Sequence, residues 1–182
     1  MRDEEFVVTK GVYEDIEELT ALYDDLNDTM QKGINYPGWI KHVYPVRETA
    51  AEGIEAKTLY VLRDGSRIAG TIILNNIQPE PYKKLKWNII AKDDEILVVH
   101  TLAVHAEYLG RGIGKRLLEF TDHFAAGNNI KAIRLDTFKN NLPAIKLYEK
   151  CGYGLIGEVD LELNVPGLDM FKCYEKAVKP QV

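Results

Sequence analysis

The sequence predicts an α/β fold, a mixed sheet flanked by helices, in a single domain over residues 1–182. Three observations predict it. Segments with the two-residue period of strands alternate with segments of helical period, in the order β-α-α-β-β-β-α-β-α-β-β. Residues 95–104, EILVVHTLAV, are nearly continuous apolar and β-branched, the pattern of a central strand buried on both faces. A chain of 182 residues, 46% hydrophobic and 28% charged, is also long enough to fill one core with an ordinary globular composition.

Residues 6–10, FVVTK, form the first strand. Ile16, Leu19, Leu22, Tyr23, Leu26 and Met30 then recur at helical spacing until Gly33 stops the helix. The stretch NYPGWIKHVYP (35–45) contains two prolines and a glycine and reads as a loop or broken helix. Residues 47–57 form a short second helix. TLYVLRD (58–64) and RIAGTIILNNI (67–77) bracket Asp64-Gly65-Ser66, a hairpin signal because Asp-Gly accepts the positive φ of a tight turn. Residues 79–92 make an irregular basic connection to the central strand. A helix from Ile113 to about Ala126 follows, then a strand over 131–138. Asn140 or Asn141 caps the next helix, whose first turn accepts Pro143 and whose end is marked by Gly152. Two strands, about 153–161 and 169–177, close the order as an antiparallel pair.

The net charge is −5, a poor match to nucleic acid or an anionic membrane and a good one to a cationic substrate. Two cysteines, Cys151 and Cys173, fit a reducing compartment, carry no metal-ligand spacing and read as small apolar fillers. The start, MRDEEF, is acidic and lacks the apolar segment of a signal peptide, and no apolar run approaches a membrane span. These features predict a cytoplasmic chain without a bound metal.

Functional information concentrates in EYLGRGIGKRL (107–117). Glycines this dense ahead of a helix suggest a backbone that approaches a phosphate. A Walker loop needs a hydroxyl after Gly114-Lys115, and the chain has Arg116. A dinucleotide fingerprint needs glycine at 115, where the chain has lysine, and a tight turn, where five residues separate the strand from Gly110. Asp136, at the end of the following strand, is the acid that a dinucleotide reading would place on a ribose.

Residues 105–114 resemble motif A of the GNAT superfamily of acyl-CoA-dependent N-acetyltransferases, [QR]-x-x-G-x-[GA] after an L-x-V strand end. Leu102 and Val104 supply the strand end, and Gly112 and Gly114 the glycines. Leu109 departs from the Gln or Arg of the pattern, a side-chain change in a loop that binds through backbone N–H groups. Asn141, Ala144, Leu147, Tyr148, Lys150, Gly152 and Tyr153 likewise match motif B, N-x-x-A-x-x-L-Y-x-K-x-G-[FY]. The resemblance implies a GNAT-type fold with a mixed, mostly antiparallel sheet, and transfer of an acetyl group from acetyl-CoA to a primary amine of a small molecule or peptide. The cofactor would be held by Leu102, Val104, the run Leu109, Gly110, Arg111, Gly112, Ile113, Gly114 and Lys115, and by Asn141, Ala144 and Tyr148. Homodimers are common in the superfamily. A fold-sharing acyl-CoA sensor without turnover is the non-enzymatic alternative.

The chemistry makes three demands: the diphosphate must be held, the ammonium must lose a proton, and the departing thiolate must be protonated or hydrogen-bonded. A free alkyl ammonium has a pKa near ~10, so a proton acceptor is needed at neutrality. Asn141, Ala144 and Tyr148 share a helical face, with Ala144 leaving room for the pantetheine arm and Tyr148 presenting a phenol as acid. On position alone Tyr148 also reads as a core aromatic with its hydroxyl at the rim; its place in the full motif favours the acid. His100, on the strand before the loop, is the base candidate by resemblance to the aralkylamine branch, and a structural histidine otherwise. Glu95 is the second candidate, acting through water. Tyr36 and Trp39, with His42 and Tyr44 in the same loop, would line an acceptor pocket or pack the loop onto the sheet. Asp24, Asp25 and Asp28 would draw in a cation or form a solvated face, and Lys83, Lys84 and Lys86 read as solvated.

Overall fold

A computed structural model describes residues 6–179; the acidic start, Met1–Glu5, lies outside the described residues. Seven strands and four helices follow the predicted order, joined by short 3-10 turns: β1 Phe6–Lys10, α1 Ile16–Lys32, α2 Arg47–Glu55, β2 Leu59–Asp64, β3 Arg67–Asn75, β4 Ile96–Val104, α3 Ile113–Gly127, β5 Ala132–Phe138, α4 Leu142–Lys150, β6 Gly154–Val159 and β7 Phe171–Ala177. The strands lie in the order β1-β2-β3-β4-β5-β7-β6. β1 with β2, β2 with β3, β5 with β7 and β6 with β7 are antiparallel, and β4 with β5 is parallel. The last hairpin is therefore inserted: β7, not β6, pairs with β5. This sheet is mixed and mostly antiparallel, not the parallel sheet that a doubly wound dinucleotide fold requires.

The chain divides into two compact units. One comprises the residues up to Asn35, Trp39–Leu74 and His100–Phe120; the other comprises Tyr36–Gly38, Asn75–Val99 and the residues from Thr121 on.

In the first unit, α1 buries Ile16, Leu19, Leu22, Tyr23 and Leu26 along the stripe that the sequence predicts, and α2 adds Ala50 and Ile54. Each buried Leu or Ile of this set contributes about 1.5–3 kcal/mol. Gly33 ends α1, its N–H reaching the carbonyl of Met30 at 3.2 Å. Asp15, before the helix, accepts from the Val12 N–H at 3.0 Å and from Arg63 at 2.6 Å. The hairpin turns at Gly65, with φ +59, while Asp64 and Arg67 close the ladder.

In the second unit, Tyr82, Ile96, Val98, Ala132, Val159 and Cys173 form a core. Arg134 is buried, and each of its three guanidinium nitrogens donates: to Glu175 at 3.0 Å, Gln78 at 2.6 Å and the Ile89 carbonyl at 2.8 Å, with the group over the ring of Trp87.

The central strand departs from its reading. Ile96–Val99 are buried throughout, as predicted, but from His100 burial alternates: Thr101 and Ala103 are buried, and His100, Leu102 and Val104 are half-buried. At the change-over, Thr101 has φ +43. That value is far from an extended strand and marks a local irregularity where the burial pattern changes.

Candidate active site

The glycine loop is built on the end of β4. His105 donates its N–H to the Ala69 carbonyl at 2.9 Å, and its Nδ1 accepts from the Glu107 N–H at 3.2 Å. Tyr108 is buried and donates to Asp64 at 2.8 Å, while Arg67 pairs with Glu107 at 2.6 Å. Arg111 lies over the Tyr108 ring, 4.8 Å from its centroid. The hairpin that the sequence predicts thus becomes the foundation of the loop, a long-range link that local patterning did not reveal.

On this base, Gly110 and Gly112 take φ of +77 and +78. L side chains rarely adopt that region, and here no protein atom lies within 4 Å of where either Cβ would stand. Backbone conformation, not crowding, requires these glycines. Gly114 differs: it is buried in the first turn of α3. The Gly112 carbonyl accepts from Arg116, so the N–H groups of Ile113, Gly114 and Lys115 have no helical carbonyl four residues back. The first turn of α3 carries no acid and has Lys115 and Arg116 instead, the reverse of what a helix dipole favours unless an anion completes it. Ile113 is buried and anchors the turn; Leu109 is half-exposed. Lys115 pairs with Glu119 at 3.4 Å, both exposed. Open space over two left-handed glycines, at the N-terminus of a fifteen-residue helix with a basic first turn, fits a diphosphate.

In the second unit, Asn141 and not Asn140 caps α4. Its Oδ1 accepts from the Ala144 N–H at 3.4 Å and its amide donates to Thr137 at 2.9 Å. The Asn141 side chain therefore sets the helix start. Ala144 is half-buried. Tyr148 is 7% exposed, with the rings of Tyr174 and Tyr153 at 5.9 and 6.1 Å. Burial, and after it the charge of Asp136, pushes its phenol above the usual range. Gly152, at φ +86, closes the helix as predicted.

Asp136, which only the rejected dinucleotide reading would have used, was not among the site residues read from the sequence. It is half-buried on β5 and accepts a 2.6 Å bond from the hydroxyl of Tyr82, itself 1% exposed. Burial raises its carboxyl to about 6, against a smaller lowering by that bond. The signal in the sequence is an acid in the strand AIRLDTF, twelve positions before Tyr148.

Glu95 lies in a 3-10 turn before β4, bound to Lys131 at 2.7 Å and to the Lys92 N–H at 2.9 Å. The Lys131 contact, followed by that N–H, holds it below the usual carboxylate range. An ion-paired carboxylate is a poor proton acceptor. His100 is half-buried beside the Thr101 kink.

Within the loop 35–45, Trp39 packs against the core of the first unit and meets the Tyr44 ring edge-on at 5.7 Å. Tyr36 is half-buried. Asp28 is taken by Lys41 at 2.7 Å. Lys83 pairs with Glu80 and Lys84 with Glu162. Burial pushes the Cys173 thiol up to about 12, which removes it as a nucleophile near neutrality. Among the described residues there is no group of three or more metal-ligating side chains, and no helix long and apolar enough to cross a membrane.

Comparison with known proteins agrees with this geometry. The acetyltransferase (GNAT) family model matches residues 19–153. The streptothricin acetyltransferase of Escherichia coli is 40% identical over 75 residues, 41% of this chain and 39% of that enzyme. The spermine/spermidine N(1)-acetyltransferase of Bacillus subtilis is 38% identical over 58 residues, 31% of this chain and 38% of that one. The matched stretches thus span about two-fifths of the length of these relatives. The crystal structure of a GNAT-family acetyltransferase from Streptococcus agalactiae superposes with a TM-score of 0.81 over 97% of this chain and 96% of that one; at 18% identity the likeness is one of fold. With the glycine loop, the capped α4 and a family match over most of its length, the chain belongs to the acetyltransferase (GNAT) family.

Proposed function

We propose that this chain, as one acetyltransferase domain, transfers an acetyl group from acetyl-CoA to a primary amine by direct attack. The observation that carries the reading is the pair of left-handed glycines, Gly110 and Gly112, under the basic N-terminus of α3. Bound acetyl-CoA supplies an activated acetyl thioester. The N–H groups of Ile113, Gly114 and Lys115 hold its diphosphate, with Arg111 and Leu109 contributing backbone to the same loop. Leu102 and Val104 form the strand end along which the arm lies, and small Ala144 leaves it room.

Asp136 takes the ammonium proton. A carboxylate near 6 is largely ionised at neutrality and still basic enough to act there. His100, half-buried beside the Thr101 kink, is the second candidate. Tyr148 acts at the departing sulfur. Its phenol is a weaker acid than usual, so complete proton transfer is costly and a hydrogen bond to the developing thiolate is the effective contribution. Tyr36 and Trp39 contribute to the acceptor side, Trp39 through the packing that fixes its loop.

The acceptor is a small cationic amine in this reading, supported by the acidic chain and by the activities named for the two enzymes it resembles. Cys151 and Cys173, neither of them in a disulfide, support a reducing, cytoplasmic setting. The test is a panel of streptothricin, spermine, spermidine and a lysyl peptide with acetyl-CoA and a thiol-release readout. Release that depends on one of the amines supports the reading. Tight CoA binding with no release from any amine favours an acyl-CoA sensor.

A further inference from the structure

Thr101 is the least expected residue of the central strand. It is β-branched, 9% exposed and lies within β4, yet its φ is +43. A residue of this shape persists in the left-handed region only when its surroundings over-determine it. Its side-chain hydroxyl is hydrogen-bonded to the hydroxyl of Tyr44, 57 positions earlier.

Tyr44 is itself held. The Tyr44 and Val43 N–H groups both reach the Ile40 carbonyl at 2.9 Å, closing a tight turn in which His42 takes φ +64. The Trp39 ring braces the Tyr44 ring edge-on, and Trp39 packs against the core of α1. Lys41, inside the same turn, is fastened to Asp28 of α1 at 2.7 Å. The loop 39–45 is thus tied to α1 at two points and presents one hydroxyl to β4.

We propose that Tyr44 is a positioning residue: by bonding to the Thr101 side chain it holds the kink in β4, and so fixes the direction in which the peptide groups and side chain around His100 leave the strand. Kinks of this kind re-aim side chains and release backbone polar groups from the ladder beside functional sites. Tyr44 does not touch the reacting groups in this account; it acts through Thr101. The inference rests on the acetyl-transfer reading for its kinetic consequence, but not for the clamp itself.

The test is Tyr44→Phe, which keeps the ring and its contact with Trp39, studied by hydrogen exchange without any substrate and by initial rates with acetyl-CoA and streptothricin or spermine. Exchange in peptides covering 99–104 should rise by roughly tenfold or more, with other strands unchanged. The maximal rate should fall by about tenfold while KM for acetyl-CoA stays within roughly twofold. Adding Thr101→Gly should recover most of the rate, because glycine takes a positive φ without a clamp. Unchanged exchange overturns the proposal, as does faster exchange with an unchanged rate. A rate loss that Thr101→Gly does not recover also overturns it, because Tyr44 then acts directly on the acceptor. A wild-type chain that releases no thiol with any amine defeats the transfer reading, and the exchange result still decides the clamp.

Discussion

In the proposed reaction, the glycine loop and the α4 region use different parts of the chain for chemistry. Around Gly110 and Gly112 the useful groups are backbone N–H donors, and side chains matter by their absence or by bracing the loop from beneath, as Tyr108 and His105 do. Around α4 the useful groups are side-chain oxygens, on Tyr148 and Asp136, whose acidities are set by burial. The difference explains why Leu109 can depart from the family pattern while the motif around Tyr148 is kept at each fixed position. It also predicts that substitutions in the two regions fail in different ways.

The largest effect is expected at Asp136. Removing a general base typically costs about 10²–10⁴-fold, so Asp136→Asn should lower kcat/KM by at least ~100-fold and abolish the acid limb near pH 6. His100→Gln should leave that limb in place. Reversal of those two results would give His100 the role, and the pH profiles of both variants decide it. A second consequence has a definite sign. The folded carboxyl titrates higher than an unfolded one, so the protonated form is favoured in the fold. Its stabilising contribution is complete below about pH 4 and is lost as pH rises through about 6. Asp136→Asn should therefore raise the stability at pH 7 by about 1–3 kcal/mol while removing activity. Thermal unfolding of both proteins at pH 4 and pH 7 measures this, and equal shifts at the two pH values would contradict it.

Gly112→Val comes next. A β-branched residue at φ +78 is strained by about 1–3 kcal/mol, which corresponds to a loss of roughly 5- to 150-fold in affinity for CoA if the loop must keep its shape to bind. Since an added Cβ at Gly112 meets nothing within 4 Å beyond its chain neighbours, the fold should survive. Calorimetric titration with CoA reads the loss, and titration with NAD separates the dinucleotide alternative.

Tyr148→Phe should lower the maximal rate by at least about tenfold, because a hydrogen bond made mainly to the developing thiolate is lost. CoA affinity should barely change, since the ring keeps its contacts with Tyr153 and Tyr174. The smallest effect belongs to Glu95→Gln. Its carboxylate is committed to Lys131, so the rate should stay within about twofold. A large loss there would restore Glu95 as a proton acceptor.

Much of this was legible in the sequence because it is locally encoded. The stripe of Leu19, Leu22 and Leu26 sets α1, Gly65 sets the hairpin, Asn141 and Gly152 bound α4, and Gly110 and Gly112 mark the loop. What the sequence hid depends on partners far along the chain. The positive φ at Thr101 goes with a hydroxyl partner, Tyr44, that local patterning does not point to. The environment of Asp136 depends on Tyr82, 54 positions earlier, whose hydroxyl donates to it. Trp39 looked equally able to line a pocket or pack a core, and it lies against the core of α1. The insertion of β7 between β5 and β6 is a topological choice that two consecutive strand patterns leave open.

The central claim, that one region works through backbone and the other through side-chain oxygens, is tested most directly by initial-rate kinetics of Gly112→Val and Tyr148→Phe measured side by side, with acetyl-CoA varied at saturating amine. The account predicts opposite signatures: a KM for acetyl-CoA raised by roughly tenfold or more with little change in kcat for Gly112→Val, and kcat lowered by roughly tenfold or more with KM nearly unchanged for Tyr148→Phe. If Tyr148→Phe turns over at the wild-type rate, or if Gly112→Val keeps the wild-type KM, the division is wrong.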